Sequence, residues 1–365
     1  MLSAKAPLAL GFALALLTCG CGPSLPESYV TERDAASRAY SQGRYREAAE
    51  HWQRAEGAAP NARERDEARY RRAAALERAG DLTSAEALYA ELSNLVGERG
   101  ERACFSRADL VFRRDARSGQ NLLRAAIERY PNSGLAAGAA HQLFDSLREL
   151  DGEAAELGEL NALSVRVRGS ELEEALLYRG IELATERGEA QAAHDQALAL
   201  ARQHPYPKGK YWDDALLRAA ELDLTLARPT EAAEHLQRLL SARESAWLVG
   251  SYDRSNFAVA RYRLAELYRD HLRDLPRARA EFRRLYAEHP TNRLRDDALF
   301  EAALIALREA DSRAACEDAR LLQQREAESR FTRCARQLCA ELPPASVECN
   351  SDLAERISSA GSRKQ

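Results

Sequence analysis

The 365-residue sequence has little of what breaks or bends a helix: 19 glycines and 12 prolines, several of them where a helix should end. Its seven histidines, His51, His141, His194, His204, His235, His271 and His289, form neither HExxH nor a Cys/His cluster with metal spacing. His204 and His289 each precede a proline that closes a helix, where a helix C-terminus favours partial positive charge. No Gly-rich phosphate loop and no nucleophile elbow is present. The net charge of −4 is spread in mixed sign along the chain, so the clustered basic face of a nucleic-acid binder is missing. These absences exclude the common catalytic classes. We expect no enzyme activity, cofactor, metal, nucleic acid or small-molecule substrate.

What is present is a helix-forming composition dominated by Ala, Leu, Arg and Glu. With 45% hydrophobic and 30% charged residues, it suits an array in which each unit buries its face only against its neighbours. Residues 36–60 show the unit most clearly. Ala36 and Ala39 let helices approach closely, Gly43 supplies a left-handed turn, and Tyr45 restarts the packing. Ala48, Trp52 and Ala55 then lie on one helical face, and Pro60 stops the second helix. The pattern returns at Ala73, Leu76, Gly80, Ala85, Tyr89 and Leu92, at Gly188, Ala193, Ala197, Leu200 and Pro205, and at Ala265, Tyr268, Ala278, Phe282, Leu285 and Pro290.

This pattern closely resembles the 34-residue tetratricopeptide repeat. The resemblance implies an all-α, right-handed superhelical solenoid of antiparallel helix pairs. It places an N-terminal array over residues 31–150, an irregular joint over 151–171, and a C-terminal array with a capping helix over 172–342. A tail over 343–365 follows, disordered from Ser359. Three departures stand out. The break of the third unit falls around residues 116–119. The turn between Ala265 and Ala278 holds one extra residue. Asp223 occupies the slot that Ala39 and Leu76 fill, which predicts a rotated end to its helix. In this family the first helix of each pair lines the concave face. By that register Arg33, Tyr40, Tyr70, Tyr178 and Tyr262 are the candidate protein-binding groove, and Tyr and Arg are types enriched at hot spots.

The N-terminus reads as a targeting segment. Lys5 precedes an apolar run over residues 6–17, shorter than the roughly 20 residues a membrane span needs. The following Leu17-Thr18-Cys19-Gly20-Cys21 resembles a bacterial lipobox, with Cys21 the lipidated residue because small Gly20 precedes it. Residues 1–21 are then the signal peptide and 22–30 a stiff tether. Gly22 is not the Asp that retains such proteins at the inner membrane, so the resemblance implies a lipid anchor in the outer membrane, facing the periplasm.

Three junctions, at Pro131, Pro205 and Pro290, share one order: helix end, aromatic or His, Pro, then an Ala-rich new helix. They resemble periplasmic repeat proteins of the barrel-assembly lipoprotein (BamD) and Tol-Pal coordinator types. That resemblance implies a scaffold for other envelope proteins or peptide segments, with outer-membrane protein assembly as the process. The alternatives are a peptidoglycan-associated or division-coordinating protein, and an enzyme with a divergent site in residues 151–170.

Five cysteines follow the anchor. An oxidising compartment favours pairing them. Reading residues 311–324 and 329–342 as antiparallel helices around Glu326 puts Cys316 and Cys334 each about 12–15 Å from the turn. This predicts Cys316–Cys334, leaves Cys339 to pair with Cys349 across Pro343-Pro344, and leaves Cys104 as a buried small hydrophobe.

Overall fold

The computed structural model describes residues 25–242, 255–344 and 347–362. Cys21 lies outside the described residues, as do Trp247, Gly250 and Tyr252 of the long insertion. The contacts divide the chain into two units: one runs through Tyr130 and includes Gly138–Ser146, the other holds Pro131–Ala137 and everything from Leu147. Among the described residues there is no strand.

The first unit contains α1 (Glu27–Ser41), α2 (Tyr45–Ala58), α3 (Ala62–Arg78), α4 (Leu82–Leu92), α5 (Glu98–Arg114) and α6 (Ala116–Arg129). The expected tether is shorter than read: Pro26 fixes the entry, Glu27 suits the first turn of α1, and Tyr29 is already fully buried. The α1–α2 and α3–α4 pairs turn in the same way. Ala39 O accepts from Arg44 N while Gly43 N donates to Tyr40 O, and Leu76 O accepts from Asp81 N, so helix-end carbonyls are satisfied. Gly43 stands at φ +76°, a value a side chain resists. Asp81 then caps α4 by accepting from Ser84 N. The core of α1–α3 is built of fully buried Ala36, Ala48, Ala55, Ala68 and Ala75 around Tyr29 and Trp52. The break between α5 and α6 is a single residue, Asp115, and residues 116–119 are the first turn of α6. The reason is steric: a Cβ on Gly119 would lie 2.2 Å from Phe112 Cα, so the glycine permits the close crossing rather than making the turn.

The middle of α7 (Ala136–Asp151) belongs to the first unit and its ends to the second. The second unit continues with α8 (Glu153–Arg166), α9 (Glu173–Glu186), α10 (Ala190–Gln203), α11 (Trp212–Thr225), α12 (Pro229–Ser241), α13 (Ser255–Asp270), α14 (Leu275–Glu288), α15 (Arg295–Arg308) and α16 (Ser312–Arg325). Residues 153–166, read as irregular, form a regular helix that buries Leu160 and Leu163. Its buried Glu156 accepts from Arg148 at 2.5 Å and from Arg179 at 2.7 Å.

The same turn recurs here: Ala184 O accepts from Glu189 N, Asp223 O from Arg228 N, and Ala306 O from Asp311 N. Asp223 therefore sits in the ordinary helix-end register, and the rotation predicted for it does not occur; the backbone bond holds the slot whatever its side chain. In the α13–α14 turn Tyr268 O accepts from Asp274 N, one residue further on, which is where the extra residue goes. Two of the turns use alanine in the left-handed region, Ala227 at φ 58° and Ala310 at φ 60°. Left-handed backbone costs a non-glycine residue about 1–2 kcal/mol, while glycine loses about 0.4–1 kcal/mol in the unfolded chain. Ala310→Gly should therefore stabilise by roughly 0.5–1 kcal/mol on balance; a lower urea midpoint than wild type would show that the turn is not strained.

The C-terminal end corrects the expectations above. Residues 329–342 are not one helix: a 3-10 turn over Thr332–Cys334 leads into the four-residue α17 (Ala335–Leu338), and the chain leaves helical geometry at Cys339. The structure joins Cys316 to Cys339 and Cys334 to Cys349, not Cys316 to Cys334 and Cys339 to Cys349. Because the helix breaks after Leu338, Cys339 comes round to α16 and Cys334 is left for Cys349. The expected tail is α18 (Ser351–Ser362), whose Leu353, Ile357 and Ala360 bury against Phe300 and Phe331. Those three lie on one helical stripe, and Arg356 pairs with Glu301 of α15.

Candidate functional site

In the first unit a cavity of about 410 Å³ opens between α1 and α3. Tyr29, Arg33, Ser37 and Tyr40 come from one stripe of α1, Glu64, Glu67, Arg71 and Ala74 from one stripe of α3, and Trp52 of α2 forms the floor. The register that fills one face of each helix is what aligns these side chains. Their charges are internally matched: Arg33 donates to Asp34 at 2.9 Å, Arg71 to Glu67 at 2.8 Å, and Glu67 also meets Arg99 at 2.6 Å. Tyr29 donates to Glu64 at 2.9 Å, and burial followed by that bond pushes its phenol up to about 12. Arg33 and Tyr40, both expected in a groove, are thus brought together.

The other three tyrosines are half-buried and turned into helix packing. Tyr70 shares a hydrogen bond with Ser106 of α5 at 2.9 Å, packs 5.6 Å from Tyr89, and lies under Arg102. Tyr178 of α9 stacks on Tyr211 at 5.2 Å, and burial raises its phenol pKa. Tyr262 of α13 meets Phe282 of α14 edge-on at 5.2 Å and is likewise pushed up by burial.

The second unit has its own cavity, about 310 Å³, between α11 and α13. Leu217, Ala220, Glu221 and Leu224 form one stripe, Arg263, Glu266, Leu267 and Asp270 the facing one, and Leu236 of α12 lies between them. The arrangement repeats the first: two odd-numbered helices as walls, the intervening helix as floor. Its acids are paired, Glu221 with Arg218 at 2.9 Å, Glu266 with Arg263 at 2.8 Å and Asp270 with Arg269 at 2.7 Å. The Arg269 bond holds the Asp270 carboxyl below its ordinary range. Aromatic-centred reading missed this cavity; the i, i+3, i+4, i+7 stripe of α11 was the signal.

Both cavities have apolar floors and paired charges on their walls. Glu156, the buried acid of the stretch where an enzyme site was entertained, is spent on two arginines. Motif spacing also missed one gathering of polar groups: His194, Asp223 and His235 present donor atoms all within 4.8 Å of one another, from α10, α11 and α12. The odd polar residue in the slot of Ala39 and Leu76 was the available signal.

Residues 259–292, the pair α13–α14, match the family described as Tetratricopeptide repeat. No curated protein matches the chain in sequence. Among solved structures, the apo form of RapI is similar over 91% of this chain and 97% of its own, at 11% identity and TM-score 0.45. The C-terminal part of a TPR repeat-containing protein from Cytophaga hutchinsonii is similar over 72% of this chain and 97% of its own, at 15% identity and TM-score 0.44. A tetratricopeptide repeat protein from Parabacteroides merdae is similar over 75% and 98%, at 13% identity and TM-score 0.36. These are likenesses of fold. The fold is all-α, an array of helix pairs of the tetratricopeptide-repeat class.

Proposed function

We propose that this chain is a non-enzymatic scaffold that holds an extended peptide or a segment of another envelope protein along its odd-numbered helices. The observation that carries this reading is the recurrence of one cavity plan, α1–α3 over Trp52 and α11–α13 over Leu236, in both units. Cavities with apolar floors and mixed-sign walls suit the anchor side chains of a protein or peptide ligand. The lipobox-like residues 17–21 support anchoring at Cys21 in the outer membrane, facing the periplasm. Two disulfides near the C-terminus suit an oxidising compartment. Outer-membrane protein assembly is the process to which the proline junctions point.

The test places a photo-crosslinking residue at Tyr40, at Leu224 and at Arg313, the last 90% exposed on the even-numbered helix α16. One shared partner at Tyr40 and Leu224, and none at Arg313, is expected in intact cells. Equal capture at Arg313, or none at the cavities, refutes the scaffold reading. Fatty-acid labelling should vanish in Cys21→Ser and persist in Cys19→Ser; the reverse moves the anchor.

A further inference from the structure

We propose that His194, Asp223 and His235 form a binding site for a divalent transition cation, zinc by its donor set, that clamps α10, α11 and α12 together.

Asp223 is fully buried and His194 is 7% exposed. His194 Nε2 stands 3.0 Å from Asp223 Oδ1, and His235 Nε2 stands 3.4 Å from Asp223 Oδ2. Neither contact is a hydrogen bond: His194 Nε2 and both Asp223 oxygens are buried with no hydrogen-bond partner. Buried acceptors without a hydrogen bond are costly; the two imidazoles lie at ion-pairing distance from Asp223, and a cation between the three groups would satisfy its oxygens. Zinc–nitrogen and zinc–oxygen bonds of about 2.0–2.2 Å at a tetrahedral angle give nitrogen–oxygen edges of roughly 3.3 Å. The two observed contacts, each to a different Asp223 oxygen, lie on either side of that edge, and one ligand atom from each of the three residues lies within 4.8 Å of the others.

The surroundings fit the same assignment. His194 Nδ1 faces Asp195 Oδ1 at 3.3 Å, and Gln191 donates to Asp195 at 2.9 Å. A carboxylate on Nδ1 is the usual outer partner of a metal-bound histidine, fixing the tautomer that leaves Nε2 free to ligate. Three other buried carboxylates are each met by two arginines: Glu156 by Arg148 and Arg179, Asp318 by Arg279 and Arg283, Glu301 by Arg269 and Arg356. At Asp223 the nearby Arg228 donates instead to Gln191 at 2.8 Å, and imidazoles take the place of arginine. The fold does not require an acid there, since Ala39, Leu76, Ala184 and Ala306 make the same backbone turn. Two imidazole nitrogens and one carboxylate oxygen favour zinc and its late first-row neighbours over magnesium or calcium. The His235 side chain, 18% exposed, leaves a side from which water completes the coordination. Asp223 and His235 each adjoin a lining residue of the α11–α13 cavity, Leu224 and Leu236, so the cation would stiffen that wall.

The test strips metal from the full chain and titrates it with Co²⁺, followed by ligand-field absorption, then with Zn²⁺ as competitor. One equivalent of tetrahedral Co²⁺ displaced by Zn²⁺ is expected, with a Tm raised by Zn²⁺ and unmoved by Mg²⁺. His235→Gln should weaken binding at least 100-fold. Asp195→Asn, at a side chain 67% exposed and outside the ligand set, should weaken it about 10–100-fold without unfolding the protein. Circular dichroism of each variant checks that it remains folded. Absence of saturable Co²⁺ absorption overturns the site and leaves a cluster that shares protons only. Binding unchanged in folded His235→Gln overturns the ligand assignment.

Discussion

Replacing Trp52 with alanine is expected to destabilise the first helix pairs by about 3–5 kcal/mol. The ring is 6% exposed and sits among Ala36, Ala39, Ala48, Ala55 and Ala68. Alanine neighbours have no rotamers with which to fill the space, so the cavity left behind stays open and its full cost is felt. The loss should appear as reduced amide protection over α1–α3 and a lower urea midpoint. A change below about 1 kcal/mol would mean that the ring does not fill the slot. Trp52 is also the cavity floor, so capture of a partner would fall with stability. Tyr40→Ala separates the two effects: Tyr40 is half-buried at the wall, in edge contact with Tyr45 at 5.2 Å, so capture should drop while the urea midpoint stays close to wild type.

Removing the Cys334–Cys349 bond by a double alanine substitution should cost on the order of 3 kcal/mol in the chain-entropy description, for a separation of 15 residues. The visible consequence is local. The α18 helix is 12 residues long, too short to persist alone in water, and is held by Leu353, Ile357, Ala360 and the Arg356–Glu301 pair. Without the bond, amide protection over residues 351–362 should collapse while α15 and α16 keep theirs, because Cys316–Cys339 still ties α16 to the end of α17. Unchanged protection would mean that packing alone docks the helix. Non-reduced peptides from the native protein should contain Cys316–Cys339 and Cys334–Cys349; recovery of Cys316–Cys334 would restore the single-helix register and refute the break at Cys339.

Short-range features were legible in the sequence. Gly43, Gly80 and Gly188 mark turns because a helix end in the left-handed region strongly favours glycine, and all three have positive φ. Ala48, Trp52 and Ala55, or Ala278, Phe282 and Leu285, mark buried faces because the helical period puts them on one side. Ala227 and Ala310 take the same conformation unannounced, since backbone bonds to Leu224 and Leu307 hold them there against their own preference.

Where a side chain points across the array was decided otherwise. Arg33, Tyr40, Tyr70, Tyr178 and Tyr262 all lie on odd-numbered helices, and the α1–α3 cavity takes in the first two. Tyr89, Tyr211 and Phe282 draw the other rings into packing. The cysteine pairs depended on where a 3-10 turn and a four-residue helix redirect the chain. His194, Asp223 and His235 are spaced by no period, and three successive helices bring them together. Local backbone preference and apolar period act over a few residues and can be read along the chain. The neighbour that meets a given ring, thiol or imidazole comes from tens of residues away, and only the packed helices decide it.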